Sequence, residues 1–250
     1  MAIKKKAPRR ILVLDVGGSH VKFRVGDRGE EQKFASGPKL TAAAMVKKLR
    51  KLIDRSDYDA VSIGYPGPVS NGRPALEPKN LGAGWVRFDY DKAFSKPVRV
   101  VNDAAMQALG AYQGGRMLFL GLGTGLGSAF VANGQLEPLE LAHLPYRNNR
   151  TYEDYVGLRG YERLGRKKWQ KHVEKVIELL KHGLQADYVM LGGGQTKKLK
   201  ELPPGVRLGD NSHAILGGIR LWDTTVSEAT NPATTKPPAS ASGKAAPSRA

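Results

Sequence analysis

Two residues at the end of an apolar run have side chains that can take part in acid–base chemistry. Asn102 and Asp103 follow residues 98–101, where β-branched side chains are typical of a buried strand, and they precede good helix formers. An amide or carboxylate at this point often caps the helix, but that ordinary role needs only one of the two. Because open α/β sheets bind ligands at the carboxyl ends of their strands, Asp103 is a candidate for proton transfer.

A run of alternate glycines follows the next apolar segment. The glycines are Gly121, Gly123, Gly125 and Gly127, with the Thr124 hydroxyl among them. Alternate glycines let the backbone turn tightly and point several N–H groups at one anion. The same pattern also occurs in plain hairpins, so the run predicts either a simple turn or a phosphate-binding one.

An earlier strand ends in a turn of the same kind, which favours phosphate binding. Residues 11–14 are apolar and residues 21–25 alternate, and the turn between them holds a carboxylate, two glycines, a hydroxyl and a lysine. These residues are Asp15, Gly17, Gly18, Ser19 and Lys22. Glycine N–H groups and a lysine suit phosphate, and a carboxylate can hold a hydrated divalent cation. The Walker pattern GxxxxGK[ST] is absent from the sequence.

Two other stretches carry a weaker signal. An apolar strand at 187–191 runs into three glycines at 192–194, and a helix that begins there would offer free N–H groups to an anion. Glu140 and His143 are three residues apart, so they face the same way only in a helix or a tight turn.

Composition limits the classes of protein that the chain can belong to. The 250 residues include no cysteine, and 40 Lys+Arg against 23 Asp+Glu give a formal net charge of +17. Unless it only solvates the surface, this charge favours a polyanionic partner such as polyphosphate, a nucleotide or nucleic acid. Disulfides, thiolate metal sites and membrane-spanning helices are not expected. The basic N-terminus leads directly into a strand pattern rather than a signal peptide, so a cytoplasmic location is expected.

The pattern of elements is α/β, with the same layout occurring twice. Helices are expected over residues 39–53, 167–184 and 213–222, from apolar residues at helical spacing. Residues 147–150 are expected to be a polar linker. A strand, a glycine turn and a second strand begin near Ile11 and again near Met117, which favours an internal duplication.

Two glycine turns that face each other would hold a phosphate chain from both sides. Asp103, at a strand end between them, would then lie near the transferred group. Phosphoryl transfer requires mainly positioning and charge neutralisation, with a group that accepts the proton of the attacking hydroxyl. The residues therefore favour a phosphotransferase.

Five motifs, in order, resemble those of the ROK sugar kinases, which belong to the actin-like ATPase and hexokinase superfamily. The motifs are DVGGSHVK at 15–22, GYPGP at 64–68, ND at 102–103, GLGTGLG at 121–127 and ELAH at 140–143. The resemblance covers residues 10–222. Within the family the chain is similar to the polyphosphate glucokinases, which also lack a cysteine zinc motif and carry a turn like that at 192–198.

The resemblance implies an α/β fold of two ribonuclease H-like domains, of the actin and hexokinase type, with a cleft between them. The first domain would span 10–103 and the second 104–212, with the closing helix 213–222 packed back on the first. Residues 1–9 would be a basic arm and residues 224–250 a disordered tail. The resemblance also implies Mg²⁺ as a cofactor, no structural zinc, and a homodimer.

The same resemblance assigns roles to individual residues. Asp103 would be the catalytic base for a sugar hydroxyl, and Asp15 would position Mg²⁺ through water. The sugar would be bound by Asn80, Asn102, Glu140, His143 and Glu153. Phosphate or nucleotide would be bound by Gly17, Gly18, Ser19, Lys22, Gly123, Thr124, Gly125, Gly193 and Gly194. The donor would be polyphosphate, ATP or both, and the acceptor a hexose, with glucose expected to be phosphorylated at O6.

The sequence departs from the family pattern at two positions. Ser19 stands where Thr is usual and keeps the hydroxyl, whereas Ala142 replaces the glycine beside His143, so a hexose is supported more directly than glucose itself. Polyphosphate as the donor is favoured by the net charge and by one basic stretch. That stretch contains Arg159, Arg163, Arg166, Lys167 and Lys168, unless these side chains are simply solvated.

Other functions fit parts of the sequence. A sugar-sensing or polyanion-binding regulator is the main alternative, because ROK relatives include repressors, but no helix-turn-helix precedes residue 10. A nucleic-acid-binding protein would need aromatic residues along a basic groove, and an actin-like ATPase would not need Glu140 and His143. The prediction is therefore a cytoplasmic sugar kinase that binds a small sugar and polyphosphate or a nucleotide, with no membrane and no specific nucleic-acid partner.

Overall fold

A computed structural model describes residues 10–210 and 212–223. The expected basic arm at 1–9 and the expected tail at 224–250 lie outside the described residues. Among the helices of the described residues, none is long and apolar enough to cross a membrane.

The first sheet has five strands. They are β1 (Ile11–Val16), β2 (His20–Val25), β3 (Gln32–Ala35), β4 (Ala60–Tyr65) and β7 (Val98–Asn102). Their order is β3-β2-β1-β4-β7, with β1 to β3 antiparallel and β4 and β7 parallel to β1. A short hairpin, β5 (Val69–Ser70) and β6 (Arg73–Pro74), precedes β7.

The second sheet repeats this plan. Its strands are β8 (Arg116–Leu122), β9 (Leu126–Ala132), β10 (Gln135–Leu139), β13 (Tyr188–Gly192) and β14 (Val206–Leu208). Their order is β10-β9-β8-β13-β14, again with three antiparallel strands followed by two parallel ones. The stretch expected to be a polar linker is instead a hairpin of β11 (Pro145–Arg147) and β12 (Arg150–Thr151). Its turn residues Asn148 and Asn149 both have positive φ, as a tight hairpin turn requires.

Within the described residues, six α-helices connect and cover the sheets. They are α1 (Ala42–Leu49), α2 (Tyr90–Phe94), α3 (Asp103–Ala111), α4 (Tyr152–Val156), α5 (Leu158–Gly183) and α6 (His213–Arg220). Helix α1 is shorter than the predicted 39–53, and the Thr41 hydroxyl caps it by accepting from the Ala44 N–H. Helix α5 begins earlier than predicted, and its first part is set off by a kink at Gly165, whose φ is 69°. The helix expected after the glycines at 192–194 is only a 3₁₀ turn, Gly194–Lys198.

Three clusters of buried apolar residues lie between the sheets and helices of the described chain. One lies between the first sheet and α1 and includes the buried rings of Tyr65 and Trp85. Another lies between the second sheet and α5 and includes Trp169. The central core lies between the two sheets and is filled by α3 and α6. Helix α3 follows β7, the last strand of the first sheet, and helix α6 follows β14, the last strand of the second sheet. Both helices lie between the two sheets.

Helices α3 and α6 touch through glycines. A Cβ on Gly110 would overlap the carbonyl oxygen of His213, and a Cβ on Gly217 would overlap that of Met106. Helix α6 is also tied to β4: the Ser62 hydroxyl donates to the Gly218 carbonyl at 2.6 Å and accepts from Trp222 Nε1 at 2.8 Å. Helix α6 therefore packs on both α3 and the first sheet, while the division into domains at residues 103 and 104 stays a prediction.

This close approach makes Gly217 a sensitive position. We expect Gly217→Ala to lower the free energy of unfolding by about 2–3 kcal/mol, because the added methyl group meets backbone that moves only if the helices separate. Urea denaturation followed by tryptophan fluorescence measures the change. Gly183→Ala is the control, since no atom of the described part of the chain lies within 4 Å of a Cβ there, and it should stabilise α5 by less than about 1 kcal/mol. Equal effects of the two substitutions would contradict the close packing.

Candidate functional site

A cleft of about 350 Å³ opens where the ends of both sheets meet the start of α3. Most of the predicted site residues line it. They are Gly17, Gly18, Asn80, Asn102, Asp103, Gly123, Thr124, Gly125, Glu140, Glu153 and Gly193. Residues from seven separate stretches of the chain thus share one cavity.

The structure separates the roles of Asn102 and Asp103. Asn102 caps α3: its Oδ1 accepts from the backbone N–H groups of Ala104 at 2.9 Å and Ala105 at 3.3 Å, and its Nδ2 donates to the Gly67 carbonyl at 3.1 Å. Asp103 is the first residue of the helix, and its Oδ1 accepts from the Ala104 N–H at 2.7 Å. Because Asn102 caps the helix, the second Asp103 oxygen remains available to a ligand.

The carboxyl group of Asp103 is surrounded by protein although part of its surface faces the cleft. Burial, and then the negative charge of Asp15, raise the pKa of Asp103 from 3.8 to about 7, and Glu140 adds to the effect. Hydrogen bonds from the backbone act in the opposite direction but are weaker. A carboxylate with this pKa can accept a proton from a bound hydroxyl near neutral pH, which is what a general base requires.

The first glycine turn is held from both sides. Gly17 N–H donates to the His20 carbonyl at 2.9 Å, and the Ser36 hydroxyl donates to the Gly17 carbonyl at 2.7 Å. Gly18 packs against Asn80, since a Cβ on Gly18 would be 3.2 Å from the Asn80 Cβ. The turn is therefore rigid, and it lies beside one of the residues predicted to bind sugar.

The second glycine turn is fixed by Glu153. Glu153 Oε2 accepts from the Leu126 N–H at 3.2 Å, and a Cβ on Gly125 would overlap the same oxygen. Gly193, from the third glycine stretch, lies against the backbone of Leu122 with φ 86° and ψ 156°, a conformation open to glycine alone. The turns after β8 and β13 therefore meet at one end of the cleft.

Asn80 is carried on a loop that a single carboxylate holds in place. Glu77 accepts from the backbone N–H groups of Trp85 at 3.1 Å and Val86 at 3.3 Å. Burial tends to raise the pKa of Glu77, but these backbone hydrogen bonds, with one from Gly84, lower it overall. The Trp85 ring anchors the other end of the loop, because its Nε1 donates to the Leu40 carbonyl at 3.3 Å.

Five predicted site residues do not line the cleft. They are Asp15, Ser19, Lys22, His143 and Gly194. His143 reaches the site through Glu140, with 3.7 Å between His143 Nε2 and Glu140 Oε1 in a turn where both side chains are 58% exposed. Asp15 faces Lys22 across β1 and β2, and its charge acts on Asp103. Ser19 is exposed at the tip of its turn, so its predicted phosphate contact stays a prediction.

The residues present are compatible with Mg²⁺. No cluster of three or more His, Cys, Asp or Glu side chains occurs in residues 10–210 or 212–223. Magnesium in phosphoryl-transfer sites is usually held by one or two carboxylates, the phosphates of the substrate and several waters, so a dedicated protein cage is not needed. Burial raises the pKa of Asp15, while the charge of the facing Lys22 acts in the opposite direction.

Sequence reasoning missed several residues that shape the site. Glu77 and Gln107 were not singled out, nor were the cleft-lining Gly67 and Phe119. Gln107 had a signal, because its spacing of four from Asp103 places both on one face of α3, and Gly67 had one as part of the GYPGP motif. The other two are brought in by a loop and by sheet packing, which the sequence pattern does not define.

Comparison with known proteins identifies the family. The sequence model of the ROK family matches residues 11–138, just over half of the chain. The chain belongs to the ROK family. This ROK protein is 26% identical over 208 residues to a polyphosphate glucokinase of Mycobacterium leprae, an alignment that covers 74% of this chain. It spans 63% of the length of that relative, which is less than two thirds.

Solved structures support the fold. The inorganic polyphosphate/ATP-glucomannokinase of Arthrobacter sp. strain KM matches with a TM-score of 0.69 at 22% identity, over 86% of this chain and 97% of that one. A ROK family glucokinase from Streptomyces griseus, in complex with glucose and AMPPNP, matches with a TM-score of 0.65 at 17% identity, over 85% and 99%. The predicted family and the predicted two-domain fold of the hexokinase type are confirmed. The relatives are kinases by name, in agreement with the predicted phosphotransferase class.

The raised pKa of Asp103 predicts a pH-dependent cost in stability. The folded state favours the neutral carboxyl group of Asp103. The stability that this preference contributes is fully present below about pH 4 and is lost as the pH rises through about 7. We expect Asp103→Asn, which is always neutral, to be as stable as the wild type at pH 4 and about 2 kcal/mol more stable at pH 8.

Urea denaturation at the two pH values tests this. Asp27→Asn, in the exposed turn after β2, is the matched control. If Asp103→Asn shifts the free energy of unfolding equally at pH 4 and pH 8, the carboxyl group is not destabilised by ionisation.

The loop that carries Asn80 should open when Glu77 loses its charge. We expect Glu77→Gln to speed hydrogen exchange at the amides of Trp85 and Val86 about tenfold, because hydrogen bonds to a charged acceptor are stronger than those to a neutral one. Glu30→Gln, in the exposed turn before β3, should leave both amides unchanged. Unchanged protection in Glu77→Gln would mean that the tryptophan anchor alone holds the loop.

Proposed function

We propose that this ROK protein is a hexose kinase that transfers a phosphoryl group from polyphosphate, ATP or both to a sugar hydroxyl, with O6 of glucose as the expected acceptor. The observation that carries the proposal is the position of Asp103. Its carboxyl group lies at the start of α3, in a cleft bordered by three glycine turns, and its pKa is about 7. This combination provides a general base next to backbone N–H groups that are candidates for binding phosphate.

The chemistry divides among the residues of the cleft. Asp103 accepts the proton of the sugar hydroxyl as that oxygen bonds to the donor phosphorus and the bond to the leaving phosphate breaks. Backbone N–H groups of the first two turns hold the phosphate oxygens on either side. Asp15 would hold hydrated Mg²⁺, which neutralises phosphate charge when bound. Asn80, Asn102, Glu140, His143 and Glu153 orient the sugar.

The substitution at Ala142 is compatible with a sugar site. Ala142 is 2% exposed and belongs to the core beneath α5, while its carbonyl accepts from the Glu153 N–H at 3.0 Å. The methyl group thus occupies the core, and the backbone at this point links the Glu140–His143 turn to Glu153. The relatives include a polyphosphate glucokinase and a glucomannokinase, which supports a hexose of the glucose or mannose type.

The donor side of the cleft favours a polyanion. The first residue of α5 is joined to the second glycine turn, since Leu158 N–H donates to the Thr124 carbonyl at 3.2 Å. Arg159, Lys167 and Lys168 are exposed on the following turns of α5. Arg163 and Arg166 instead have protein partners, the carbonyls of Asp154 and Lys198. The exposed cations could attract a long phosphate chain leaving the cleft.

The predictions on oligomeric state, cellular location and partners belong to this proposal as well. A homodimer is expected from the resemblance to the family and a cytoplasmic location from the sequence pattern, and neither a membrane nor a specific nucleic acid is expected as a partner. A sugar-sensing or polyanion-binding regulator remains the alternative function, because the same cleft could bind sugar without catalysis.

Turnover of glucose tests the proposal. With Mg²⁺ and either polyphosphate or ATP, we expect the wild type to form glucose 6-phosphate, and Asp103→Asn to be at least about 100-fold slower because the general base is lost. We expect kcat/KM to rise with pH and level off above about pH 7, as Asp103 becomes ionised.

Asp27→Asn serves as the matched control and should keep full activity. If no hexose is phosphorylated with either donor while glucose still binds, the regulator is the better description. The ratio of activities with the two donors decides between polyphosphate and ATP.

A further inference from the structure

One polar side chain on the cleft wall lies four residues after Asp103 on α3. Gln107 lies on α3 and lines the same cavity as Asp103. Its amide makes no hydrogen bond to another residue within the described ranges 10–210 and 212–223. Amide groups that are partly removed from water normally have hydrogen-bond partners, so an unpaired one that faces a cleft is a candidate ligand contact.

The surroundings of Gln107 place it on the donor side. A Cβ on Gly192 would be 3.3 Å from Gln107 Oε1 and 2.6 Å from Phe119 Cζ, so Gly192 lies directly over both side chains. Gly192 pairs with Gly121 across β13 and β8, where the second and third glycine turns begin. Oε1 is the amide atom next to Gly192, and the N–H₂ group of the same amide is the one that can donate to an anion.

The direction of the helix brings this amide close to the reacting groups. Side chains on an α-helix lean toward its N-terminus, so a residue four positions after Asp103 extends back toward the first turn. The carboxylates of Asp15 and Glu140 already act on Asp103, and another acid here would repel phosphate. An amide can donate a hydrogen bond to an anion without adding negative charge.

We propose that Gln107 binds the phosphoryl donor, with its side-chain N–H₂ donating to a phosphate oxygen held between the glycine turns and Asp103. This inference rests on the proposed kinase function and names a residue for its donor site. It separates Gln107 from Asn80, Glu140 and Glu153, which are expected to contact the sugar.

The test compares two matched substitutions. Gln107→Met keeps the length of the side chain and removes the hydrogen bond, so we expect KM for the donor to rise about tenfold while KM for glucose changes less than about twofold. Gln107→Glu adds a negative charge and should raise the donor KM further. Gln32→Met, exposed on β3, is the control and should change neither constant.

Direct binding separates failure of this inference from failure of the kinase proposal. Calorimetric titration with tripolyphosphate and with ATP–Mg²⁺ should show about tenfold weaker binding to Gln107→Met than to the wild type for at least one ligand, whether or not any sugar is phosphorylated. Equal affinities for both ligands, no binding of either to the wild type, or a rise in the glucose KM alone would overturn the assignment. Equal thermal unfolding midpoints of the variants would show that the fold is intact.

Discussion

The site depends on how closely the first turn of α3 approaches both sheets. On one side, a Cβ on Gly64 would be 3.3 Å from Met106 Sδ and 3.5 Å from the Asp103 Cα. On the other side, a Cβ on Gly127 would be 2.7 Å from the Ala104 Cβ. Side chains at these two glycines would push the helix away from one sheet or the other. The cleft, the burial of Asp103 and the contact with α6 all follow from this approach.

The same crowding sets the chemistry of the cleft. A carboxylate in water would have an ordinary pKa and would be a weak base, whereas Asp103 has little water around it and two other carboxylates nearby. Asn102 satisfies the end of α3, so the acid is not used as a cap. The protein thereby keeps a carboxyl group whose ionised form the fold disfavours, which is typical of sites that evolved for reactivity rather than stability.

Much of the fold could be predicted because its local signals agree with its tertiary structure. The runs at 11–14 and 98–101 are strands, the first buried and the second largely half-buried, and the glycine turns lie where strand ends meet. The errors have physical causes. Residues 147–150 contain no apolar residue that would indicate strands. The hairpin there depends on its turn, where Asn148 and Asn149 both adopt a positive φ. The glycines at 192–194 lead into a 3₁₀ turn because Thr196 bonds back to the Gly193 carbonyl through both its N–H and its hydroxyl. Glu77 holds a loop through the backbone N–H groups of Trp85 and Val86, which periodicity does not encode.

The position of α6 between the sheets also affects how the chain is made. Helix α6 is the last element of the described chain, yet it covers a face of β1 and β4 and binds Ser62, which is 156 residues away from Gly218. During synthesis the first sheet therefore leaves the ribosome long before its covering helix exists, with one apolar face open to water or to other chains. Such long-range closure slows folding and exposes intermediates to aggregation. A nascent chain shorter than residue 220 would lack this cover, so chaperone binding during translation should concentrate on the first half.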